Sequence, residues 1–413
     1  MAFLRLARSS WLGIIAAIPA VIGGCNGIVG VLDSDVESTS TSGTSGGGGQ
    51  GGASDVTTGA GPTGPGVTGV TTGVTTSVAS GATTGAGAGS STSSGMMTTC
   101  APACGANQYC ETATLSCVCN PGFVQQGGVC TAAVAGDPTS HTQEDVCDHW
   151  KAGHVVTEPN PLTTTGAECD AGSLKQGGIV DTLVRINMYR WLVGLGPTSD
   201  SAAFDADAQK CANLESWWPW ISGSPHQPPT TSKCYTPEGG ATAGQSNIAW
   251  GSGSPAQAID QFMQDNGNET TMGHRRWIMN PPLGPIGIGY WQGGGKYGNA
   301  ECLRVFGTSG GGPKPPWVAV PTAGFAPLTT ASWTWTFHGS LGGIANATAT
   351  VLRVDDNMAL PVTMKKLSQG YAQDTTSWIP NGWKAEAGKT YRVTVSGLSG
   401  GDVVYDFKPI ACN

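Results

Sequence analysis

The segment Gly273-His274-Arg275-Arg276-Trp277-Ile278 anchors everything else that can be read from this chain. Its histidine is the candidate partner of an acid upstream, and the reason lies in the helix that carries the acid. Ser254-Pro255-Ala256-Gln257 reads as a helix start: Ser254 is a good N-cap, Pro255 suits the first helical position, and Gln257 completes a capping box. On the helix that follows, Ala258, Phe262 and Asp265 share one face. An acid on a buried stripe asks for a partner, and His274 supplies one. The alternative is plainer: Asp265 pairs with Arg275 or Arg276 as a surface salt bridge. Further upstream, residues 179–193 carry apolar side chains at 180, 183, 184, 186 and 191, a helical period that Leu195-Gly196-Pro197 ends. Ser199 or Asp200 is the expected cap of the next helix, where Phe204, Ala208, Cys211 and Ala212 form a stripe.

Asn187-Met188-Tyr189-Arg190, Gly194-Leu195-Gly196-Pro197, His226-Gln227-Pro228-Pro229, Ser246-Asn247-Ile248 and Gly273-His274-Arg275-Arg276-Trp277 follow one another in this order. In that order they resemble the CAP superfamily, which takes in the cysteine-rich secretory, antigen-5 and pathogenesis-related proteins. The bacterial SCP-like extracellular branch is the nearest likeness. The resemblance covers about 150 residues within 145–309 and implies an α+β fold, a CAP-type α-β-α sandwich. It also implies a central cleft lined by two histidines and usually two acids, able to hold a divalent metal. His226 and His274 match the histidines, and Asp265 stands where the family often has Glu. The second Glu of the family's Gly-Glu-Asn motif is replaced: Ser246 precedes Asn247 here. On this reading His226, Asp265 and His274 form an open zinc site with water as fourth ligand, and Ser246 and Asn247 line the cleft. Loss of the second carboxylate lowers metal affinity and removes an obvious general base. Read without the family, His226 before two prolines is an ordinary turn residue.

Other constellations compete with bland readings. Cys147-Asp148-His149 with His154 has the makings of a metal trio, against a disulfide for Cys147. Gly307-Thr308-Ser309-Gly310-Gly311 has the look of a nucleophile loop but no Asp or His partner at a suggestive spacing. Trp217-Trp218-Pro219-Trp220 is either a sugar or lipid platform or core packing.

Beyond the proline-rich linker at 310–317 the pattern changes to alternation. Trp333, Trp335 and Phe337, then Ala349 and Val351, then Tyr391, Val393 and Val395 against Arg392, Thr394 and Ser396, predict short strands. Turn residues separate them, so residues 318–413 are expected to form a β-sandwich. Cys302 and Cys412 are one candidate link between this part and the central domain, which would leave Cys147, Cys169, Cys211 and Cys234 for two bridges; spacing assigns none of these pairings.

Six cysteines fall within residues 100–130, as C-x3-C-x5-C-x6-C-x-C-x10-C with Pro121-Gly122-Phe123 in the last loop. Spacing alone allows 15 pairings. The pattern resembles an EGF-like module, which implies Cys100–Cys110, Cys104–Cys117 and Cys119–Cys130. A zinc cluster is the runner-up. The acids that precede the first cysteine in calcium-binding versions are missing, since Met97-Thr98-Thr99 stands there.

Residues 1–24 read as an export signal, with Arg5 and Arg8 before an uncharged apolar run. Ile22-Gly23-Gly24-Cys25 resembles a bacterial lipobox, which implies a lipid on Cys25; the alternative is an uncleaved membrane helix extending through Leu32. Residues 25–99 are a low-complexity stalk, and from 37 on they contain no Ile, Leu, Phe, Tyr or Trp, so they cannot bury enough surface to offset chain entropy. The count of 13 cysteines fits this partition: one for lipid and twelve for disulfides in an oxidising compartment. Only 12% of the 413 residues are charged, the net charge is −8, and no Lys or Arg lies between Arg8 and Lys151. That excludes a basic nucleic-acid footprint.

Together these readings describe a membrane-tethered protein of the bacterial envelope or outer surface, exported and lipid-anchored. Its expected role is a non-enzymatic module for an extracellular lipid, glycan or protein, with one divalent metal, zinc, as the candidate cofactor. The alternatives are a zinc-assisted hydrolase and a structural or adhesive envelope protein with a vestigial cleft.

Overall fold

The computed structural model describes residues 100, 102–111, 114–217, 224–293, 298–307, 310 and 312–412. The expected signal segment, Cys25 and the stalk lie outside them, as do Trp218, Pro219, Trp220, Thr308 and Ser309.

The chain begins with two hairpins, β1 (Gln108–Glu111) with β2 (Ser116–Cys119) and β3 (Phe123–Gln126) with β4 (Val129–Ala132). So few residues cannot build a core, and three bridges stand in for one: Cys100–Cys110, Cys104–Cys117 and Cys119–Cys130, the pairing the EGF-like resemblance implies. The module is seated on the central part by Asn187, whose amide donates to Pro121 O and Thr198 O at 2.8 Å each. Gly122 (φ 86°) is needed there, because a Cβ would stand 2.6 Å from Pro197 Cβ.

The central part is built in three layers. α1 (Gln143–Gly153), capped by a reciprocal Thr142–Asp145 box, leads through short strands β5 (Leu162–Thr163) and β6 (Ser173–Leu174) to α2 (Gln176–Leu192) and α3 (Ala202–Trp217). α3 starts after Ser201, so neither Ser199 nor Asp200 caps it as expected. Next come α4 (Pro237–Ala243), β7 (Ser246–Trp250), α5 (Pro255–Gln264), α6 (Gly273–Ile278), β8 (Gly287–Trp291) and β9 (Ala300–Arg304). The three strands form one antiparallel sheet in the order β7-β9-β8. Side chains alternate across it. Ile248, Cys302 and Trp291 pack towards Cys211 and Ala212 of α3, while Ala249, Ile288 and Leu303 join Leu183 and Ile186 of α2 and Ala258, Ile259 and Phe262 of α5. Gly289 lets β8 press against α3, since a Cβ would lie 2.0 Å from Ala208 O.

The C-terminal residues form β10 (Trp317–Val320), β11 (Gly324–Pro327), α7 (Leu328–Ala331), β12 (Trp335–Gly339), β13 (Thr348–Arg353), β14 (Met358–Leu360), β15 (Val362–Lys365), β16 (Asp374–Pro380), β17 (Tyr391–Ser396) and β18 (Val403–Ile410). They make two sheets, β10-β12-β16-β15 and β11-β18-β17-β13-β14. Trp335, Phe337 and Trp378 of one share a core with Val351, Tyr391, Val393 and Phe407 of the other, a sandwich-like arrangement. Its boundary is not a clean one. Val318, Val320, Trp333 and Ile410 are buried in the same cluster as Leu183 and Phe262, and all described residues fall in one compact unit.

The remaining bridges are Cys147–Cys412, Cys169–Cys234 and Cys211–Cys302. The candidate Cys302–Cys412 link does not form. Cys302 points to the α3 side of β9, where Cys211 waits, and the chain end leaves β18 beside α1. Six disulfides suit an oxidising, extracytoplasmic compartment. Among the described residues no helix is long and apolar enough to cross a membrane.

Two acids are anomalous. Glu215 of α3 and Glu301 of β9 are 0% exposed, and no carboxyl oxygen of either has a hydrogen-bond partner. Burial pushes both well above 4.5, so they are held as neutral acids. Above pH 4.5 the folded chain then keeps protons that the unfolded chain releases. Stability falls as pH rises, by up to ~1.4 kcal/mol per pH unit for each group. Urea unfolding at pH 5, 6, 7 and 8 should show this slope, and Glu215→Gln with Glu301→Gln should remove most of it. His338 sets the acid side: buried between Thr336 Oγ1 and Thr375 Oγ1, it is held well below 6.5 by burial and by Arg275 and Arg276. Its contribution is lost as pH falls below 6.5.

Candidate functional site

α5 stops one residue short of its expected end. Asp265 is not on the helical stripe but is its C-cap, in the left-handed region at φ 58°, a conformation that Asp tolerates better than most residues. That turn re-aims the carboxylate at the start of α6. Asp265 is 1% exposed, and its Oδ1 accepts from His274 Nδ1 (2.9 Å) and Asn268 Nδ2 (3.2 Å). Its Oδ2 accepts the backbone N–H of Arg275 (3.2 Å), one of the donors that a helix start leaves unsatisfied. The His274 ring is thus fixed by a buried acid, lies 5.2 Å from the Phe262 ring and is 17% exposed.

The two arginines that follow are not the surface salt-bridge partners of Asp265. Both are essentially fully buried. Arg275 donates to Met263 O, Gln264 O, Thr334 O and Thr336 Oγ1. Arg276 donates to Thr271 O, Ser368 O, Gln369 Oε1 and Gln373 O. Each guanidinium therefore ties α6 to the C-terminal sheets. Arg190 works the same way within the central part, donating to Gly196 O, Ile278 O, Asn280 O and Pro281 O.

His226 is held by Ala243 O at 2.9 Å from Nδ1. Ser246 donates its hydroxyl to Thr242 O at 2.7 Å, and Asn247, pointing to the opposite face of β7, donates to His274 O at 3.0 Å. The expected three-ligand set is not assembled. Among the described residues the ligand atoms of His226, Asp265 and His274 do not gather within 4.8 Å of one another. The physical reason is that both Asp265 oxygens are already committed, so the acid orients a ring instead of offering a donor. Only Cys100, Cys104 and Cys110 gather that closely, and their sulfurs are in disulfides, which disposes of the zinc-cluster reading.

The trio at Cys147, His149 and His154 dissolves too. Cys147 is bridged, His149 and His141 stack on the two faces of Trp191 at 3.7 and 3.8 Å, and His154 lies 3.6 Å from Asp260. Trp217 packs under the Lys233 ammonium at 3.8 Å.

Sequence reasoning missed a cavity of about 990 Å³. Pro138, Gly194, Trp317, Ala319, Val404 and Tyr405 contribute to a mainly apolar wall, and the Arg392–Asp406 ion pair belongs to its polar part. These residues come from segments far apart in the chain, so no local motif announces them.

Comparison of the chain with protein-family models, curated proteins and solved structures finds no match in any of the three.

Proposed function

We propose that this chain is an exported, surface-tethered module of CAP type that binds a small apolar, lipid-like molecule without turning it over. The observation that carries this reading is the 990 Å³ cavity, at the upper end of the ~300–1,000 Å³ range of small-molecule sites and largely apolar. The ordered motifs, the helix–sheet–helix layering and the buried Asp265–His274 pair support the family likeness. A resident catalytic zinc fits poorly. With Asp265 committed, His226 and His274 offer two imidazoles, short of the three protein ligands that such a metal carries. The hydrolase alternative, already without the second carboxylate at Ser246, loses its third ligand as well.

The test is titration of the full-length protein with cis-parinaric acid, followed by probe fluorescence. Saturable binding is expected, weakened ~10-fold or more by Val404→Glu, which puts a charge on the apolar wall at a position 55% exposed. His226→Ala with His274→Ala should leave that affinity unchanged. Equal binding by the Val404 variant overturns the assignment. Stoichiometric zinc uptake in calorimetry, lost in the double histidine variant, would restore the hydrolase.

A further inference from the structure

The 990 Å³ cavity lies where the C-terminal sandwich is left open along one edge. β11 pairs with β18 only from Phe407 onwards, and β10 is the outer strand of its sheet, so residues 404–406 and 317–319 border a gap. Residues 136–139 and the chain just after α2 complete the wall.

The polar groups of that wall are unevenly used. Arg392 holds Asp406 through two bonds of 2.8 and 2.9 Å, and Asp137 Oδ1 accepts the N–H and hydroxyl of Thr139 at 2.9 and 2.8 Å. Lys314 is exposed, with no ion-pair or hydrogen-bond partner among the described residues. Tyr405 is only 5% exposed, yet its hydroxyl has no partner either, and an unpaired buried donor is costly. The carboxylates of the wall are thus engaged, whereas an ammonium and a phenol O–H are not. Pro313, Pro315 and Pro316 flank Lys314 and stiffen its backbone, so the ammonium is presented at a reduced entropic cost.

Given the reading of this cavity as a small-molecule site, we infer that its ligand is a long-chain carboxylic acid, with the carboxylate at Lys314 and the chain against Trp317, Val318 and Ala319. A carboxylate supplies both the acceptor oxygens and the single negative charge that the free donors lack. A neutral alcohol such as a sterol leaves the ammonium without a countercharge. A phosphate brings a second charge that Asp137 and Asp406 repel. Val193 and Thr322 also line a small inner void with Met263, Val320 and Trp333, so packing is loose on that side and the end of a chain can be taken up.

Fluorescence titration of the full-length protein with cis-parinaric acid and with its methyl ester tests this, since the two probes share a chain and differ in charge. The acid is expected to bind about 5-fold tighter than the ester, the upper end of what an exposed ion pair supplies. Added NaCl should narrow that gap. Lys314→Gln should bring the two affinities together, and Lys314→Arg should keep them apart. Neither substitution, at an exposed position, should move the melting temperature. Equal binding of acid and ester by the wild type, or a preference that survives Lys314→Gln, overturns the head-group assignment and leaves the cavity a site for apolar molecules. Binding of neither probe overturns that cavity reading, and the head-group assignment with it.

Discussion

Arg275→Leu is expected to lower the unfolding free energy by about 3–5 kcal/mol, close to the cost of breaking a buried charged pair. The guanidinium occupies the C-terminal end of α5, where Met263 O and Gln264 O are among the carbonyls a helix leaves without partners. Its other arm reaches Thr334 O and Thr336 Oγ1, at the entrance to and within β12. Leucine fills part of the volume but leaves these four acceptors without their donor, each worth ~1–3 kcal/mol where water cannot reach it. Partial water entry keeps the sum below the simple total. Arg275→Lys should recover only a fraction, because one ammonium cannot span both directions as a planar fork does. Urea unfolding measures the loss, and hydrogen exchange locates it. β12 should exchange faster while the α3 side of the central sheet is unchanged. A loss below ~1 kcal/mol would mean that the clamp is ornamental.

That role explains what the sequence could and could not say about the site. The Asp265–His274 pairing was legible, because an acid among apolar positions of a capped helix demands a partner and a histidine stood nearby. The backbone turn at Asp265 was not, since helical periodicity continues on paper past the residue where the chain leaves the helix. Nor were the duties of Arg275 and Arg276. Two adjacent arginines look like solvated charge, and only carbonyls contributed by distant segments, Thr334, Ser368 and Gln373, make their burial affordable. The strands of the C-terminal part were readable from alternation alone: in β17 Tyr391, Val393 and Val395 are buried and Arg392 is exposed, as the pattern required. What alternation does not encode is which sheet meets which helix. The cavity, the shared core around Val320 and Ile410, and the pairing of the last six cysteines all depend on that missing information.

The cysteine pairing carries the other large effect. Replacing Cys147 and Cys412 together by Ser is expected to cost up to about 5 kcal/mol, because their bridge closes a loop with a sequence separation of 265. The bridges at 169–234 and 211–302 shorten the effective loop to roughly 160 residues, but the entropy depends on its logarithm, so the difference is a few tenths of a kcal/mol. The loss should stop short of unfolding. Val146, next to Cys147, is fully buried in the same core as Val320 and Ile410, and that apolar contact does not need the covalent bond. The serine pair should therefore remain folded at 25 °C, melt roughly 10 °C lower, and open first where α1 meets the end of β18. Both cysteines must be changed at once, since a single substitution frees a thiol to attack another bridge. Scanning calorimetry gives the shift and hydrogen exchange gives the place. If the double variant melts like the wild type, the core alone joins the two parts, and the bridge contributes nothing to their union.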